Sequence, residues 1–288
     1  MCIKEKNMFT ITCDSSADLG KELYEKLGVK VIPFNIMVEG EEKKDGVDVT
    51  VPDLYDSVAR TNELPKTAAI NQAEHKEFWE ANANPEGILH FSISSKASAT
   101  YNNAVAAAKE VEGVRVIDSE SLSTGLGLQV MYACKLRDQG LPIEEVEKKI
   151  NERRSQVQIS FVIEKLNFLH KGGRCTGLQL VGATVLGIRP SIAMKDGRLG
   201  MDKKYKGKMH KVVESYVRET LQEYNNYDDS VCFITYSTAT PEMLEAAKTV
   251  LKEEAHFKEV IETHAGCTVA THCGPNTLGI IYYNGQEK

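Results

Sequence analysis

ILHFSISSKASATY, Ile88 to Tyr101, is the stretch on which the fold turns. Ile88, Leu89, Phe91 and Ile93 form a short apolar run of strand type. Ser94, Ser95, Ser98 and Thr100 follow within seven residues, and Ala104 to Ala108 then supply strong helix formers. The stretch predicts a strand, a hydroxyl-rich loop and the start of a helix. Free backbone N–H groups at a helix start, with hydroxyl donors beside them, suit an anionic oxygen. Capping is the ordinary reason for Ser and Thr at such a place, and on this stretch alone it is the simpler reading.

Two other junctions repeat the pattern. Phe9 to Cys13 reads as a strand ending in Asp14, Ser15 and Ser16, with Leu19, Leu23 and Leu27 at helical spacing after it. Val114 to Asp118 reads as a strand followed by Ser119, Ser121, Ser123 and Thr124, then a long helix from about Leu126. Val29 to Val38 reads as one further buried strand, and helices are expected near Pro52 and around Trp79. Strands alternating with helices predict a parallel sheet with helices on its faces. The three hydroxyl-bearing loops would then gather at the carboxyl edge, where open sheets bind ligands.

The second half changes character. Leu141 to Glu152 is an amphipathic helix and Gln158 to Ile163 a strand. Lys171 to Arg174 is a basic glycine turn, and Leu178 to Leu186 is apolar. Ile188 to Met194 reads as a strand, turned into a hairpin at Lys195 to Arg198. A helix (Met209 to Tyr224), a strand (Val231 to Tyr236), a helix (Pro241 to Lys252) and a strand (Lys258 to His264) follow. THCGPNTLGIIYY closes the chain as a loop and a last strand. A boundary near residue 160 divides the chain into an extension (1–8), a first α/β unit (9–160) and a second (161–288).

Composition excludes several classes. A net charge of −6 gives no reason to expect nucleic acid or an anionic membrane surface. No apolar run approaches the roughly 18–20 residues of a membrane span, and MCIKEKNM has no apolar core behind its lysines. Seven scattered cysteines without a C-x-x-C pair read as thiols of a cytoplasmic protein. There is no GxGxxG fingerprint, no GxxxxGK[ST] loop and no H-x-x-x-H or H-E-x-x-H, so no metal or nucleotide cofactor is expected. Asp14 and Asp118 could form a carboxylate pair, although capping is the simpler role. Cys273 beside His272 is set aside as a nucleophile because neighbours on an extended segment point opposite ways.

The ordered set of motifs resembles the DegV family of bacterial fatty-acid-binding proteins. It comprises CDSSADL at Asp14, the P-x-T loop at Thr67, ISSKASATYNNA, DSESLSTGLG at Asp118, LNFLHKGGRCTG at Arg174, VGATVLGIRPSI, and HCGPNTLGI at His272. The resemblance runs from about Phe9 to Tyr283 and implies the two-domain DegV fold: a mostly parallel N-terminal sheet with flanking helices, and a C-terminal α/β domain. It implies a long-chain fatty acid such as palmitate, its tail in an apolar tunnel of the first domain. The carboxylate would meet Thr67, Ser98 and His272, with Ser95 beside them and Arg174 near the cleft for partner or headgroup contacts. It further implies a carrier, not an enzyme, that presents the carboxylate to a separate fatty acid kinase for acyl-phosphate formation in phospholipid metabolism. The chain departs from the pattern at Ala68-Ala69-Ile70-Asn71 after Thr67, at Lys96 and Ala99 where glycines are usual, and at Asn276.

The chemistry suits such a ligand. At about 0.8 kcal/mol per methylene, a chain of ~15 carbons offers on the order of 12 kcal/mol before ordering costs. Burying an unpaired carboxylate is very costly, and hydroxyls of Thr67 and Ser98 with a ring N–H of His272 can satisfy it without a buried countercharge. Two other readings remain open at this level: a small-molecule phosphotransferase or hydrolase, and a carrier of another amphipathic acid.

Overall fold

Strand β1 (Thr10–Asp14) pairs in parallel with β2 (Lys30–Ile32) on one side and β6 (Ile88–Ser92) on the other, and β6 pairs in parallel with β7 (Val114–Asp118). The order β2-β1-β6-β7 is the parallel sheet expected from alternating strands and helices. All five residues of β6 are buried, as a strand covered on both faces requires. The computed structural model describes residues 8–176 and 187–287. Most of the expected N-terminal extension and the apolar run Leu178 to Leu186 lie outside the described residues.

The helices of the first half are α1 (Lys21–Leu27), α2 (Val51–Thr61), α3 (Gln72–Ala81), α4 (Thr100–Ala107), α5 (Ser123–Asp138) and α6 (Ile143–Arg153). α3 packs on α4, and α5 on α6. α5 is buried almost all round, because it lies against strands of two sheets at once. Gly127 allows this: a Cβ there would stand 2.8 Å from the Ala17 carbonyl oxygen.

The run Val29 to Val38 is not one strand. Pro33 has no N–H to give to a ladder, and the chain leaves the parallel sheet there. The remainder, β3 (Asn35–Val38), joins β4 (Glu41–Lys44) and β5 (Lys66–Ala68) in a separate antiparallel sheet of order β4-β3-β5.

The second half builds a mixed seven-stranded sheet. Its strands are β8 (Val157–Val162), β9 (Cys175–Thr176), β10 (Ile188–Lys195), β11 (Arg198–Lys206), β12 (Val231–Tyr236), β13 (Glu259–His264) and β14 (Leu278–Tyr283), in the order β13-β12-β14-β8-β10-β11-β9. The boundary expected near residue 160 falls within β8. β10 and β11 form the expected hairpin, with Asp196 and Gly197 both at positive φ. α8 (Met209–Glu223) and α9 (Pro241–Glu254) pack together beside this sheet. α7 (Asn167–Gly172) ends at the basic glycine turn.

A short helix not expected from the sequence, α10 (Cys267–Cys273), precedes the segment read as a closing loop and takes in its first residues, Thr271 to Cys273. It follows β13 in the chain but packs against α2, α7, β3 and β5. Asp45, 5% exposed, accepts hydrogen bonds from the N–H groups of Cys267 (2.8 Å) and Thr268 (3.1 Å) and from the hydroxyls of Thr268 (2.6 Å) and Ser15 (2.9 Å). Asp18 accepts from the Gly266 N–H at 2.8 Å. Tyr55 donates its hydroxyl proton to the Ala270 carbonyl at 3.2 Å. A helix of the second half is thus tied down by side chains of the first. Asp45→Ala leaves these buried donors without an acceptor, so it should lower the unfolding free energy by about 3 kcal/mol. Urea unfolding measures this, and a loss below about 1 kcal/mol would show that the cap is dispensable.

Candidate functional site

β5 carries Thr67 opposite Ile36 of β3. Its hydroxyl meets Nε2 of His272, in the last turn of α10, at 2.9 Å. Beyond Ala69, the Ile70 N–H donates to the Thr100 hydroxyl at 3.3 Å, and the Ile70 carbonyl accepts from the Asn103 amide at 2.8 Å. These bonds seat the 67–70 loop on the start of α4. Ser98 stands in the loop before α4, its Oγ 2.9 Å from Thr100 Oγ1, and accepts from the Thr100 N–H at 3.2 Å. Ser98 thus closes a hydroxyl turn onto the first residue of α4, while the N-cap position itself falls to Ala99, which has no side-chain cap. The position of Ser98 on the wall of a cavity is additional.

That cavity is narrow, about 50 Å³. Phe34, Ile93, Leu122, Leu169 and Leu199 give it an apolar lining, and Thr67, Ser98, His272 and Arg174 its polar one. A separate outer groove of about 690 Å³ shares Thr67, Arg174 and His272 with it, and adds Lys66, Lys171 and Glu63. Those three shared residues form a partition between the apolar interior and a polar, largely cationic surface.

Four of the five expected site residues, Thr67, Ser98, His272 and Arg174, line one cavity. Ser95 does not line it; its N–H donates to Asp118 at 3.1 Å. Arg174 is exposed, and two of its donors are engaged by backbone: Nε by the Ala97 carbonyl (3.0 Å) and Nη1 by the Gly172 carbonyl (2.9 Å). His272 and Cys273 lie on a helix rather than on extended chain, so the reason first given for separating them does not apply; successive helical residues diverge by about 100°.

Most hydroxyls at the three strand ends face inward. Ser16 and Ser92 donate to Asp14, Ser94 to the Gly197 carbonyl, Ser119 to the Ser121 carbonyl and Ser123 to Asp18. Asp14 and Asp118 serve separate loops, Asp14 also accepting from the Ile93 N–H and Asp118 from the N–H groups of Ser95 and Glu120. Burial raises the Asp14 carboxyl to about 6. Sequence reasoning missed Leu169 and Leu199 and the α10 residues Thr268 and Val269, which also line the cavity. The helical spacing of Leu166 and Leu169 ahead of the glycine turn was the available signal for α7.

Burial, and secondarily the charge of Arg174, lower His272 to about 4. The ring is neutral at pH 7, and its Nδ1 is buried without a hydrogen-bond partner. Of the other histidines, His75 and His90 pack against Trp79 with ring centroids 5.2 and 5.3 Å away. Among the described residues there is no group of three or more His, Cys, Asp or Glu that could hold a metal ion. Nor, among them, is any helix long and apolar enough to cross a membrane.

Comparison with known proteins extends these observations. The family model described as "Uncharacterised protein, DegV family" matches residues 8–285. A DegV domain-containing protein of Caldanaerobacter subterraneus subsp. tengcongensis is 26% identical over 283 residues, covering 96% of this chain and 98% of its own. A DegV family protein from Thermus thermophilus, solved for its fatty acid binding, superposes with a TM-score of 0.86 at 26% identity, over 96% of this chain and 99% of that one. A stearic acid-binding protein from Eubacterium ventriosum gives 0.82 at 26% identity, with the same coverage.

The electrostatics of His272 can be tested without a ligand. Its folded value lies below the unfolded value of about 6.5, so the folded chain resists a proton that the unfolded chain accepts. Its contribution to stability is present above about pH 6.5 and is lost as pH falls towards 4. Histidine NMR titration should find His272 near 4, and Arg174→Ala should raise that midpoint while leaving it below the ordinary range, because burial is the larger cause. A midpoint near 6.5 in the wild type would show the ring to be solvated.

Proposed function

The chain belongs to the DegV family, and on that premise we propose that it binds a long-chain fatty acid, with the carboxylate at Thr67, Ser98 and His272 and the tail among Phe34, Ile93, Leu122, Leu169 and Leu199. The observation that carries this reading is the meeting of Thr67 and His272 at 2.9 Å, across 205 positions of chain, on the polar wall of an apolar cavity that Ser98 also lines. Relatives of the same fold solved with fatty acid binding as their described property support the ligand class. The cavity wall draws on residues of both 9–160 and 161–288, which supports treating these as the two units that hold the ligand between them.

Neutral donors suit a carboxylate that must remain reactive. A bidentate arginine would hold both oxygens, whereas the Thr67 and Ser98 hydroxyls would satisfy them and leave the group available, with the His272 ring N–H donating to the Thr67 oxygen so that the threonine proton is free for the ligand. The outer groove beside the partition supports presentation of that carboxylate to a separate fatty acid kinase in the cytoplasm, with Lys66, Lys171 and Arg174 supplying positive charge where a phosphoryl group would arrive. In this reading the chain is a carrier, and acyl-phosphate formation is the partner's reaction.

The tail requires more room than the cavity of about 50 Å³. Small-molecule pockets are commonly about 300–1,000 Å³, so binding must part the apolar lining. Burying ~15 methylenes, on the order of 12 kcal/mol, is the available driving force.

Native mass spectrometry and lipid extraction of the purified protein should recover a long-chain fatty acid. Ser98→Ala and Thr67→Val should each weaken binding by about tenfold or more, the loss of one hydrogen bond to a charged group. Acyl phosphate should form from ATP only when a fatty acid kinase is added. Protein that is consistently empty and takes up no added fatty acid would end this proposal.

A further inference from the structure

Gly172 is the last residue of α7, and its backbone gives no reason for glycine. Among the described residues the positive-φ glycines include its neighbour Gly173 but not Gly172 itself. In a helical turn alanine is the better residue. What the position requires is space. A Cβ on Gly172 would lie 2.3 Å from Nδ1 of His272, 3.2 Å from its Cε1 and 3.4 Å from its Cγ. All three atoms belong to one imidazole, whose other nitrogen meets the Thr67 hydroxyl at 2.9 Å. The ring is held between that hydroxyl and the bare face of a glycine.

We propose that Gly172 is a positioning residue: the absent side chain at the end of α7 sets where the His272 imidazole stands relative to Thr67, and so fixes the polar end of the ligand site. Its consequence for binding rests on the fatty-acid reading above; the geometry itself needs no ligand. The same turn reaches the other pole of the site. The Gly172 carbonyl accepts from Arg174 Nη1 at 2.9 Å, and Arg174 Nε donates at 3.0 Å to the carbonyl of Ala97, the residue before Ser98. One turn of chain therefore refers both His272 and Ser98 to a common frame.

A methyl group on Gly172 meets the end of a side chain, not backbone. The ring turns aside more readily than the helix unwinds, so Gly172→Ala should fold and should move His272. Three readouts test this. In histidine-labelled NMR, Gly172→Ala should shift the His272 ring resonances and raise its titration midpoint, because the displaced ring is less buried. Affinity for a long-chain fatty acid such as palmitate should fall by at least about tenfold. In a double-mutant cycle, Gly172→Ala should add no more than about twofold to the loss caused by His272→Ala, because the glycine acts through the ring.

Unchanged His272 resonances and midpoint in Gly172→Ala would overturn the proposal, and so would losses that add in full. If Gly172→Ala does not fold, the double variant with His272→Ala should, because the clashing ring is gone; a double variant that also fails to fold overturns the proposal. If wild-type protein binds no fatty acid, the functional reading fails while the His272 resonances still decide the role of Gly172.

Discussion

The carboxylate of Asp45 determines where α10 begins, and α10 determines where His272 ends up. Four donors converge on this one buried group, two of them backbone N–H groups that a helix start leaves without internal partners. The next residue back, Gly266, is held by Asp18, whose other oxygen accepts from Ser123 at the head of α5. Burial raises the Asp18 carboxyl well above its ordinary value. These bonds place a helix from the last tenth of the chain within reach of a strand from the first quarter. Without them Thr67 and His272 would have no reason to meet. The hydroxyl-rich loops at the strand ends therefore serve chiefly as an internal frame, and the site residues stand on that frame.

The electrical character of the polar wall follows from the same packing. His272 is buried enough to stay neutral, so its ring offers one N–H and one lone pair rather than a fixed charge. Arg174 could have supplied a countercharge, yet its Nε and Nη1 are turned to backbone carbonyls. Direct pairing would give a carboxylate more affinity and less freedom to react. A wall of hydroxyls and a neutral imidazole would satisfy the oxygens of the proposed ligand with dipoles, and the lysines of the outer groove remain on the far side of the partition.

The parts of this arrangement that were legible in the sequence are those set by local chemistry. Ile88 to Tyr101 announced a buried strand, a hydroxyl loop and a helix because apolar run, cap residues and helix formers occur in that order, and β6 and α4 lie there. Asp196-Gly197 announced the β10–β11 hairpin because its two positions need positive φ. Thr67, Ser98 and His272 could be named together only through family resemblance, since nothing local links positions so far apart. α10 was missed because seven residues holding Thr, Val and His carry weak helix propensity, and its stability comes from Asp45, more than 200 positions away. The split of Val29 to Val38 was missed although Pro33 stood in view, because an unbroken apolar run outweighed one residue. Gly172 read as part of a basic turn, and its packing against a ring more than ninety positions away cannot be seen in one dimension.

On the proposed reading, the way a fatty-acid tail would enter follows from what pins the seam around the cavity. Ser94 donates to the Gly197 carbonyl, Lys96 to the Asp196 carbonyl, Thr263 to the Asp18 carbonyl, and Thr124 bonds Thr235, in addition to the Asp45 cap and the Arg174–Ala97 contact. Drawing the two halves apart would break most of these together, at about 0.5–1.5 kcal/mol net for each, since water takes the place of the lost partners. That sum is of the same order as the whole gain from burying the tail. Turning Phe34, Leu122, Leu169 or Leu199 to another rotamer costs about 0.5–1.5 kcal/mol for each side chain held off its preferred angle. The less costly route leaves the halves joined and repacks the lining, so the polar wall keeps its geometry while the apolar interior changes shape. If the proposed ligand binds there, a site built in this way would accept tails of different form without altering the position at which the carboxylate is offered.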